Sequence, residues 1–172
     1  DGRTYTGQWS CGKVEGEGSL TYPNGDCHTG QWVDNAAHGH GVLRLASGKV
    51  FEGQWLNNMQ NGEGEERLPD GTNYKGQYVD GAKQGSGSYT WTSMDATYTG
   101  EFARDCLHGK GTFVWTSGKK YEGEWEFNQK HGQGILQYED GRIYTGQYSR
   151  DLQHGHGTIR HPNGGLFEGQ FK

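Results

Sequence analysis

The stretch from 121 to 134 contains the two motifs that decide the fold. It reads Tyr121-Glu122-Gly123-Glu124-Trp125 and then, after a short gap, His131-Gly132-Gln133-Gly134. In the first motif two rings flank a glycine at alternate positions, which is the side-chain spacing of a β-strand, and aromatic residues favour strands. The second motif has the same spacing, with glycines in place of the rings. Together the two motifs predict a pair of short β-strands.

Both motifs recur along the whole chain at a nearly constant interval. The aromatic-x-Gly-x-aromatic motif occurs eight times, with a step of 23 residues except for 24 between Tyr74 and Tyr98. Self-similarity at a fixed step of this length is the signature of a repeat protein. We therefore predict one domain over residues 1–172, with a half-repeat at 167–172 and repeats 1 to 7 starting near Tyr5, His28, Phe51, Tyr74, Tyr98, Tyr121 and Tyr144.

Turn signals separate the repeats. Dipeptides such as Asn24-Gly25 and Asp70-Gly71 lie between them, and glycine accepts the positive φ that tight antiparallel connections need. No segment has a 3.6-residue apolar period over the length of a helix. The prediction is therefore an all-β fold, an elongated single-layer antiparallel β-meander of seven 23-residue hairpin repeats plus a terminal half-repeat.

Glycine supplies 32 of the 172 residues, although inside a strand it costs about 0.5–1 kcal/mol relative to alanine. A hairpin closed around residues 10–15 would put Trp9 opposite Gly16 and Gly7 near Gly18, so that rings lie on bare backbone. Burying a ring removes roughly 150–250 Å² from water, which outweighs the glycine cost at about 25 cal/mol per Å². The predicted aromatic face consists of Tyr5, Trp9, Trp32, Phe51, Trp55, Tyr74, Tyr78, Tyr98, Phe102, Tyr121, Trp125, Tyr144 and Tyr148.

The opposite face of the sheet is predicted to be polar. Gln or Glu stands between the central glycine and the second ring in every copy of the motif, and Thr, Glu or Lys precedes that glycine. At the spacing of paired strands these side chains form a hydrophilic ladder. The sheet is thus expected to have one face lined by rings and one wet face.

The two motifs and the turn that follows them resemble the MORN (membrane occupation and recognition nexus) repeat. The resemblance covers the whole chain as seven repeats and a half-repeat, Phe167 to Phe171. Two places depart from the pattern: His28 replaces the first ring of repeat 2, and Ser93-Met94-Asp95-Ala96 replaces the glycine turn of repeat 4. We expect these departures to alter turns locally and to leave the fold intact.

The resemblance implies an elongated single-sheet rod that is often part of a longer protein. The chain looks most like the multi-repeat cytoskeletal scaffold proteins of protists, and repeats of this kind have been proposed to contact phospholipids. A cytoplasmic, cytoskeleton-associated protein is therefore implied, at or near the membrane periphery. Because Asp1-Gly2 is an inter-repeat turn and Lys172 follows a lone first strand, we expect further repeats upstream.

The charge limits the classes of partner that the chain can bind, and the cysteine content indicates its redox setting. The net charge is -5 and the sequence pI is about 5.9, with no run of basic residues longer than Lys119-Lys120. Strong attraction to nucleic acid or to anionic lipid is therefore not expected. Three cysteines at irregular places do not make a disulfide framework, which favours a reducing cytoplasmic setting.

Histidines precede the Gly-x-Gly motif in four repeats, at His38, His108, His131 and His154. Catalysis needs unlike residues that converge on one place, whereas a repeat supplies the same residue everywhere. We therefore interpret them as turn residues that bond the backbone, and we predict no enzyme. Because no helix follows the Gly-x-Gly motifs, a phosphate-binding loop is not predicted either.

Zinc is the one cofactor that the sequence offers as a possibility. Side chains of the kind that bind zinc cluster in repeat 2, although the usual Cys-x-x-Cys spacing is absent. The candidate ligands are Cys27, His28, His38 and His40.

The function predicted from these observations is a non-catalytic scaffold that self-associates and docks protein partners. A meander one layer thick leaves edge strands open, and an aromatic groove can hold a helix by its apolar side. A phosphoinositide-binding module, which the net charge opposes, and the regulatory array of a larger enzyme are the alternatives. The predicted homodimer interface consists of Tyr144, Tyr148, Ile159, Phe167 and Phe171.

Overall fold

A computed structural model describes residues 2–172, and fifteen β-strands account for most of them. The order of the strands in the sheet follows their order in the chain, and neighbouring strands such as β1 and β2 or β2 and β3 pair antiparallel, as the sequence predicts. One short 3₁₀ helix spans Thr92–Met94, and the described residues contain no helix able to cross a membrane. The strands are β1 Thr4–Ser10, β2 Lys13–Thr21, β3 Cys27–Val33, β4 Ala36–Arg44, β5 Val50–Leu56, β6 Met59–Arg67, β7 Asn73–Val79, β8 Ala82–Trp91, β9 Ala96–Ala103, β10 Cys106–Trp115, β11 Lys120–Glu126, β12 Gln129–Gln137, β13 Ile143–Ser149, β14 Leu152–Arg160 and β15 Leu166–Phe171.

The chain divides into two compact units. The first ends at Gln84 and the second begins at Gly85, within β8. Both units are built from the same repeat, in which a seven- or eight-residue strand with the two rings is followed by a nine- or ten-residue strand with the two glycines.

Each repeat forms a hairpin that closes through a two-residue turn. In repeat 2, Asp34 and Asn35 have φ values of 49° and 67°, the left-handed pair of a type I′ turn. Arg104 and Phe127 adopt the same conformation at the tips of repeats 5 and 6, although it disfavours large side chains. The residue types at these tips are therefore poor turn signals, and the sequence did not predict where the hairpins close.

The predicted register within a hairpin is half right. Gly7 lies opposite Gly18, but Trp9 lies opposite Val14 rather than Gly16. The tight turn brings Lys13 opposite Ser10, and a β-bulge then takes up the extra residues of β2. Gly16 sits in that bulge with φ of 75°, a conformation that favours glycine.

The ring that covers this glycine comes from the following repeat. Trp32 lies opposite Gly16 across β2 and β3, and its indole Nε1–H donates to the carbonyl of Gly18 at 3.1 Å. Trp55 makes the equivalent bond to Gly41, also at 3.1 Å. The second ring of each repeat therefore packs on the glycine strand of the repeat before it, so that ring burial joins neighbouring repeats.

The first ring of each repeat covers the second glycine of its own hairpin. A Cβ added to Gly134 would lie 2.6 Å from the Tyr121 ring, and one added to Gly64 would lie 2.6 Å from the Phe51 ring. Rings along the row meet edge to face, as at Tyr121 and Tyr148, whose centroids are 5.1 Å apart. Such pairs add about 0.5–1.5 kcal/mol beyond the area they bury.

The thirteen residues of the predicted aromatic face differ in burial. Eleven are buried, and the first rings Tyr74, Tyr98, Tyr121 and Tyr144 have no exposed surface at all. Tyr5 is partly exposed and Trp9 is 59% exposed. Both belong to β1, which pairs with only one strand of the described sheet. The rings are therefore chiefly a core rather than a surface.

The polar face carries part of the fold's own hydrogen bonding. The Gln31 side-chain oxygen accepts from the His40 backbone N–H at 2.9 Å, next to the bulge. Glu124 accepts from Gln133 in the same way at 3.0 Å. The Gln or Glu of the first motif thereby satisfies a backbone donor that the bulge removes from the ladder.

Candidate functional site

The clearest departure from the regular repeat is a hollow among rings in the second unit. It has a volume of about 400 Å³ and is lined by residues of repeats 4, 5 and 6. We call it the aromatic hollow. Its lining residues are Tyr89, Trp91, Met94, Phe102, Asp105, Leu107, Phe113, Trp125 and Asn128.

Repeats 4 and 5 differ from the other repeats at two sequence positions after the Gly-x-Gly motif. The first of them is aliphatic in repeats 1, 2, 6 and 7, but it is Tyr89 in repeat 4 and Phe113 in repeat 5. Trp91 and Trp115 occupy the second position, and both lie opposite Ala96. The Phe113 ring lies between the two indoles, 5.3 Å from Trp91 and 4.3 Å from Trp115, and Trp91 and Phe113 line the hollow.

The rings here meet in a different geometry from those of the core. Tyr89 and Trp91 are stacked with centroids 4.3 Å apart, and Trp91 stacks on Phe113 at 5.3 Å. Tyr89 and Trp91 are only partly buried. Unlike the edge-to-face rows beneath them, these stacked rings leave aromatic surface in contact with solvent.

The extra residue of repeat 4 shapes one end of the hollow. The 3₁₀ turn Thr92–Met94 replaces the usual glycine turn, and it ends at Asp95 with φ of 46°. This turn places Met94 beside the rings with 52% of its surface exposed. Methionine is flexible and polarizable, and it adapts well to a partner's surface.

A second concavity lies on the polar face of the same unit. It has a volume of about 620 Å³ and runs over β9 to β13. Threonines line it together with the charged side chains of Lys110, Glu122 and Glu124. Lys120 pairs with Glu122 at 3.0 Å. Because opposite charges lie side by side here, the trough has no uniform charge that would select a ligand.

His28 is buried within the first unit, between two indoles. Its ring lies 5.0 Å from Trp32 and 4.5 Å from Trp55, both edge to face, and its Nε2 has no hydrogen-bond partner. Burial lowers the pKa of His28 to about 4. The histidine is therefore neutral at pH 7 and fills the place of the missing first ring.

The other candidate zinc ligands do not gather around His28. Cys27 points to the opposite face, where its sulfur lies 3.3 Å from the Ser19 hydroxyl. The hydrogen bond between Ser19 and Cys27 lowers the pKa of the Cys27 thiol, against the opposing effect of burial. His40 Nε2 lies 3.9 Å from Glu52. Among residues 2–172 no three His, Cys, Asp or Glu side chains are grouped so that they could hold a metal ion. Zinc binding therefore stays a prediction.

The histidines that precede the Gly-x-Gly motifs are not turn residues, contrary to the sequence interpretation. His131 lies within β12, and its Nδ1 is 3.6 Å from Glu126. His108 lies within β10 and meets the Phe127 ring at 6.1 Å. The two-residue turn closes the hairpin earlier than expected, which leaves these positions inside the strand.

The predicted dimer interface is only partly accessible. Tyr144 has no exposed surface and Tyr148 only 4%, because both rings pack within the sheet. Ile159 and Phe171 are partly exposed, and Phe167 is 52% exposed. A partner chain could therefore contact the last three side chains but not the two tyrosines.

A buried carboxylate in the first unit was missed by the sequence analysis. Glu66 is only 6% exposed and pairs with Lys49 at 2.7 Å and Lys83 at 3.1 Å. Burial raises the pKa of Glu66, but the Lys49 hydrogen bond and the Lys83 charge outweigh it and hold the pKa below its usual value. The available signal was a glutamate at the first of the two positions that follow the Gly-x-Gly motif, where four other repeats have an aliphatic residue.

Comparison with known proteins identifies a repeat family. The profile of the family described as MORN repeat matches residues 5–27, 28–50, 51–73, 74–93, 98–120, 121–141 and 144–166. No curated protein matches the sequence.

Among solved structures, the TCP10 domain of Danio rerio CPAP in complex with a peptide of Danio rerio STIL is similar over 98% of this chain and 83% of that chain. The identity is 13% and the TM-score 0.43. The G-box domain of the microcephaly protein CPAP is similar over 91% of this chain and 87% of that chain, with 13% identity and a TM-score of 0.49. At these values neither likeness bears on what the present chain binds.

Proposed function

This chain belongs to the MORN repeat family, and from that premise we propose that it is a non-catalytic scaffold that docks protein partners and associates with a second copy of itself. The observation that carries the proposal is the aromatic hollow. The repeat is complete without it, because repeats 1, 2, 6 and 7 have aliphatic residues where Tyr89 and Phe113 stand. The stacked rings of repeats 4 and 5 are therefore available for recognition.

The chemistry of the hollow suits an apolar side chain or short segment of a protein. Tyrosine and tryptophan dominate the binding energy of protein interfaces when a partner covers them. Trp91 and Met94 provide apolar surface at one end, while Asp105 and Asn128 at the other can orient a polar backbone. A pocket that is mostly apolar with a few polar groups is typical of a binding site.

Self-association is the second part of the proposal. Leu166 and Phe167 in β15 are 63% and 52% exposed, which is high for large apolar side chains. A second copy that covered them would remove apolar surface from water. Light scattering at tens of micromolar tests this part: we expect a dimer in the parent and a monomer in Phe167→Ser. A monomeric parent would refute it.

We place this scaffold in the cytoplasm, at a cytoskeletal or membrane-associated structure. The family and the three free cysteines support this placement. Direct binding of anionic lipid is the alternative. Co-sedimentation with phosphoinositide-containing vesicles at physiological salt separates the two, and we expect no binding because the net charge is -5.

The docking proposal is tested by capturing partners from extract on three immobilised proteins. These are the parent, Met94→Asp in the hollow, and the matched control Val114→Asp, whose side chain is 42% exposed on the other face of β10. We expect partners that the parent and the control retain and that Met94→Asp loses. Trp91→Ala, with folding checked by circular dichroism, provides a second hollow variant. If all four proteins capture the same set, the hollow is not the docking site.

A further inference from the structure

A row of exposed apolar side chains follows the hairpin tips of the first unit. In three consecutive hairpins the residues on either side of the two-residue turn are apolar, and four of them are 41–49% exposed: Val33, Leu56, Met59 and Val79. With the smaller side chains of Ala36 and Ala82 they form what we call the tip stripe. It consists of Val33, Ala36, Leu56, Met59, Val79 and Ala82.

The tip stripe lies on the face that carries no rings. Val33, Leu56 and Val79 each follow a buried second ring directly in their strand, and successive side chains of a strand point to opposite faces. Across the hairpins, Val33 lies opposite Ala36 and Leu56 opposite Met59, so each pair shares that face. The stripe is therefore separate from the aromatic core and from its packing.

The fold does not require apolar residues at these positions. In repeat 6, Glu126 and Gln129 flank a turn of the same left-handed geometry, and in repeat 1 the flanking residues are Ser10 and Lys13. The same hairpin thus forms with polar residues. Exposed apolar side chains that lie in a row, and that folding does not need, are candidates for an interaction site.

The spacing of the tips matches one class of partner. Successive hairpins are two strands apart, about 9.6 Å, whereas seven residues of an α-helix rise about 10.5 Å. A helix laid along the row of tips would therefore bring one face to each tip about every seven residues, with a mismatch of only about 0.9 Å per tip. Polyproline segments have a similar repeat but prefer grooves lined by aromatic rings, and the rings here are on the other face.

The acidic side chains around the stripe favour basic residues along the flanks of that helix. The turn residues Asp34 and Asp80 lie at its outer side and Glu63 at its inner side. Asp34 is already paired with Lys13 at 2.6 Å, so a basic flank would face chiefly Asp80 and Glu63. The sequence up to Gln84 has seven Lys and Arg against eleven Asp and Glu. This acidic excess complements a basic partner.

We propose that the tip stripe docks an amphipathic helix of a protein partner, with an apolar residue facing each tip about every seven residues and Lys or Arg along both flanks. The proposal rests on the scaffold function but uses a surface different from the aromatic hollow. A helix that lies apolar face down on such a surface is a common mode of recognition, and Met59 lets the surface adapt to it.

The probe is a fluorescein-labelled synthetic peptide of about 21 residues, three helical heptads long. It has leucine on one face and lysine on both flanks, and a scrambled peptide of the same composition is the control. Fluorescence anisotropy at physiological salt measures its binding to the whole chain, and circular dichroism measures its helix content. We expect the ordered peptide to bind at least tenfold more tightly than the scrambled one and to gain helix when bound.

Two variants locate the binding. The double variant Leu56→Glu/Met59→Gln copies the residues of repeat 6, so the hairpin should fold, and we expect it to bind at least tenfold more weakly. The control Ile135→Asp changes an exposed apolar residue in the second unit and should leave binding unchanged. Equal binding by the double variant, or binding without gain of helix, would overturn the inference. Because the hollow variants are scored by partner capture, failure here leaves the docking proposal standing.

Discussion

Replacing His28 with tyrosine should make the chain both more stable and less sensitive to acid. The five tyrosines at this position of other repeats include Tyr74, Tyr121 and Tyr144, whose hydroxyls donate to a backbone carbonyl three residues on, at 2.9–3.0 Å. His28 makes no such bond, and its Nε2 is buried without a partner. His28→Tyr supplies the missing bond, to Gln31, and removes the unpaired nitrogen. At pH 7.5 we expect a gain of about 1 kcal/mol in the free energy of unfolding.

The larger effect is the dependence on pH. In the folded chain the pKa of His28 is about 4, against 6.5 for an exposed histidine, so only the unfolded chain takes up a proton between these values. The folded state is therefore fully stable above about pH 6.5 and loses stability as the pH falls towards 4. Since one pKa unit corresponds to about 1.4 kcal/mol, the loss attributable to His28 is about 2.5 kcal/mol at pH 4.5.

Urea unfolding followed by tryptophan fluorescence, at pH 7.5 and pH 4.5, measures this difference. The carboxylates titrate alike in both proteins, so the change in parent minus the change in variant isolates His28. The control His154→Tyr alters an exposed histidine in β14 and should behave as the parent does. If the parent and His28→Tyr lose equal stability between the two pH values, the histidine is not buried as described.

Three further outcomes are expected. Gly134→Val should destabilise the chain by about 3 kcal/mol, because its Cβ would meet the Tyr121 ring; an unchanged urea midpoint would contradict this. Glu66→Gln should cost about 3 kcal/mol, since it leaves two lysines without their buried carboxylate. The parent should lose that contribution as the pH falls through the lowered pKa of Glu66; an acid profile shared by parent and variant would argue against it. Protein purified without a histidine tag should contain less than about a tenth of an equivalent of zinc, because residues 2–172 do not assemble the number of ligands that structural zinc needs; a full equivalent would revive the zinc site.

The periodic part of the fold could be predicted from the sequence. The two motifs repeat with a fixed step, and their alternate spacing matches the side-chain period of a strand, so the hairpins and the meander follow. The pairing of Gly7 with Gly18 also follows, because the central glycines must face each other for a ring to lie over both. These features depend on residues close together in the chain.

The glycine that lies opposite each second ring could not be predicted, because the sequence does not show where the hairpin closes. Placing Trp9 opposite Gly16 assumed a wide hairpin loop, whereas the left-handed turn at Cys11 and Gly12 closes the hairpin early. The bulge at Gly16 then compensates on one strand only. Neither residue 11 nor its counterpart Phe127 is typical of such a turn, since the conformation is fixed by pairing on both sides rather than by local preference.

The candidate sites were missed because they are departures from the repeat. Trp91 was visible in the sequence as one more ring, and only the structure shows that it stacks with Tyr89 and Phe113 and that the three rings line a hollow. Leu56 and Met59 are unremarkable as single residues, but the turn places them side by side on the exposed face. The positions that the repeat pattern does not constrain are therefore the ones that indicate function in this chain.

The central claim is that the second ring of each repeat seats on the glycine strand of the repeat before it. Nuclear Overhauser contacts of the indole N–H protons test this most directly. The account predicts that the Trp125 indole proton contacts Gly111, to whose carbonyl it donates at 3.2 Å, and that Trp32 and Trp55 show the same contact one repeat back. Contacts from Trp125 to Gly132 and Gly134 of its own hairpin, with none to Gly111, would contradict it.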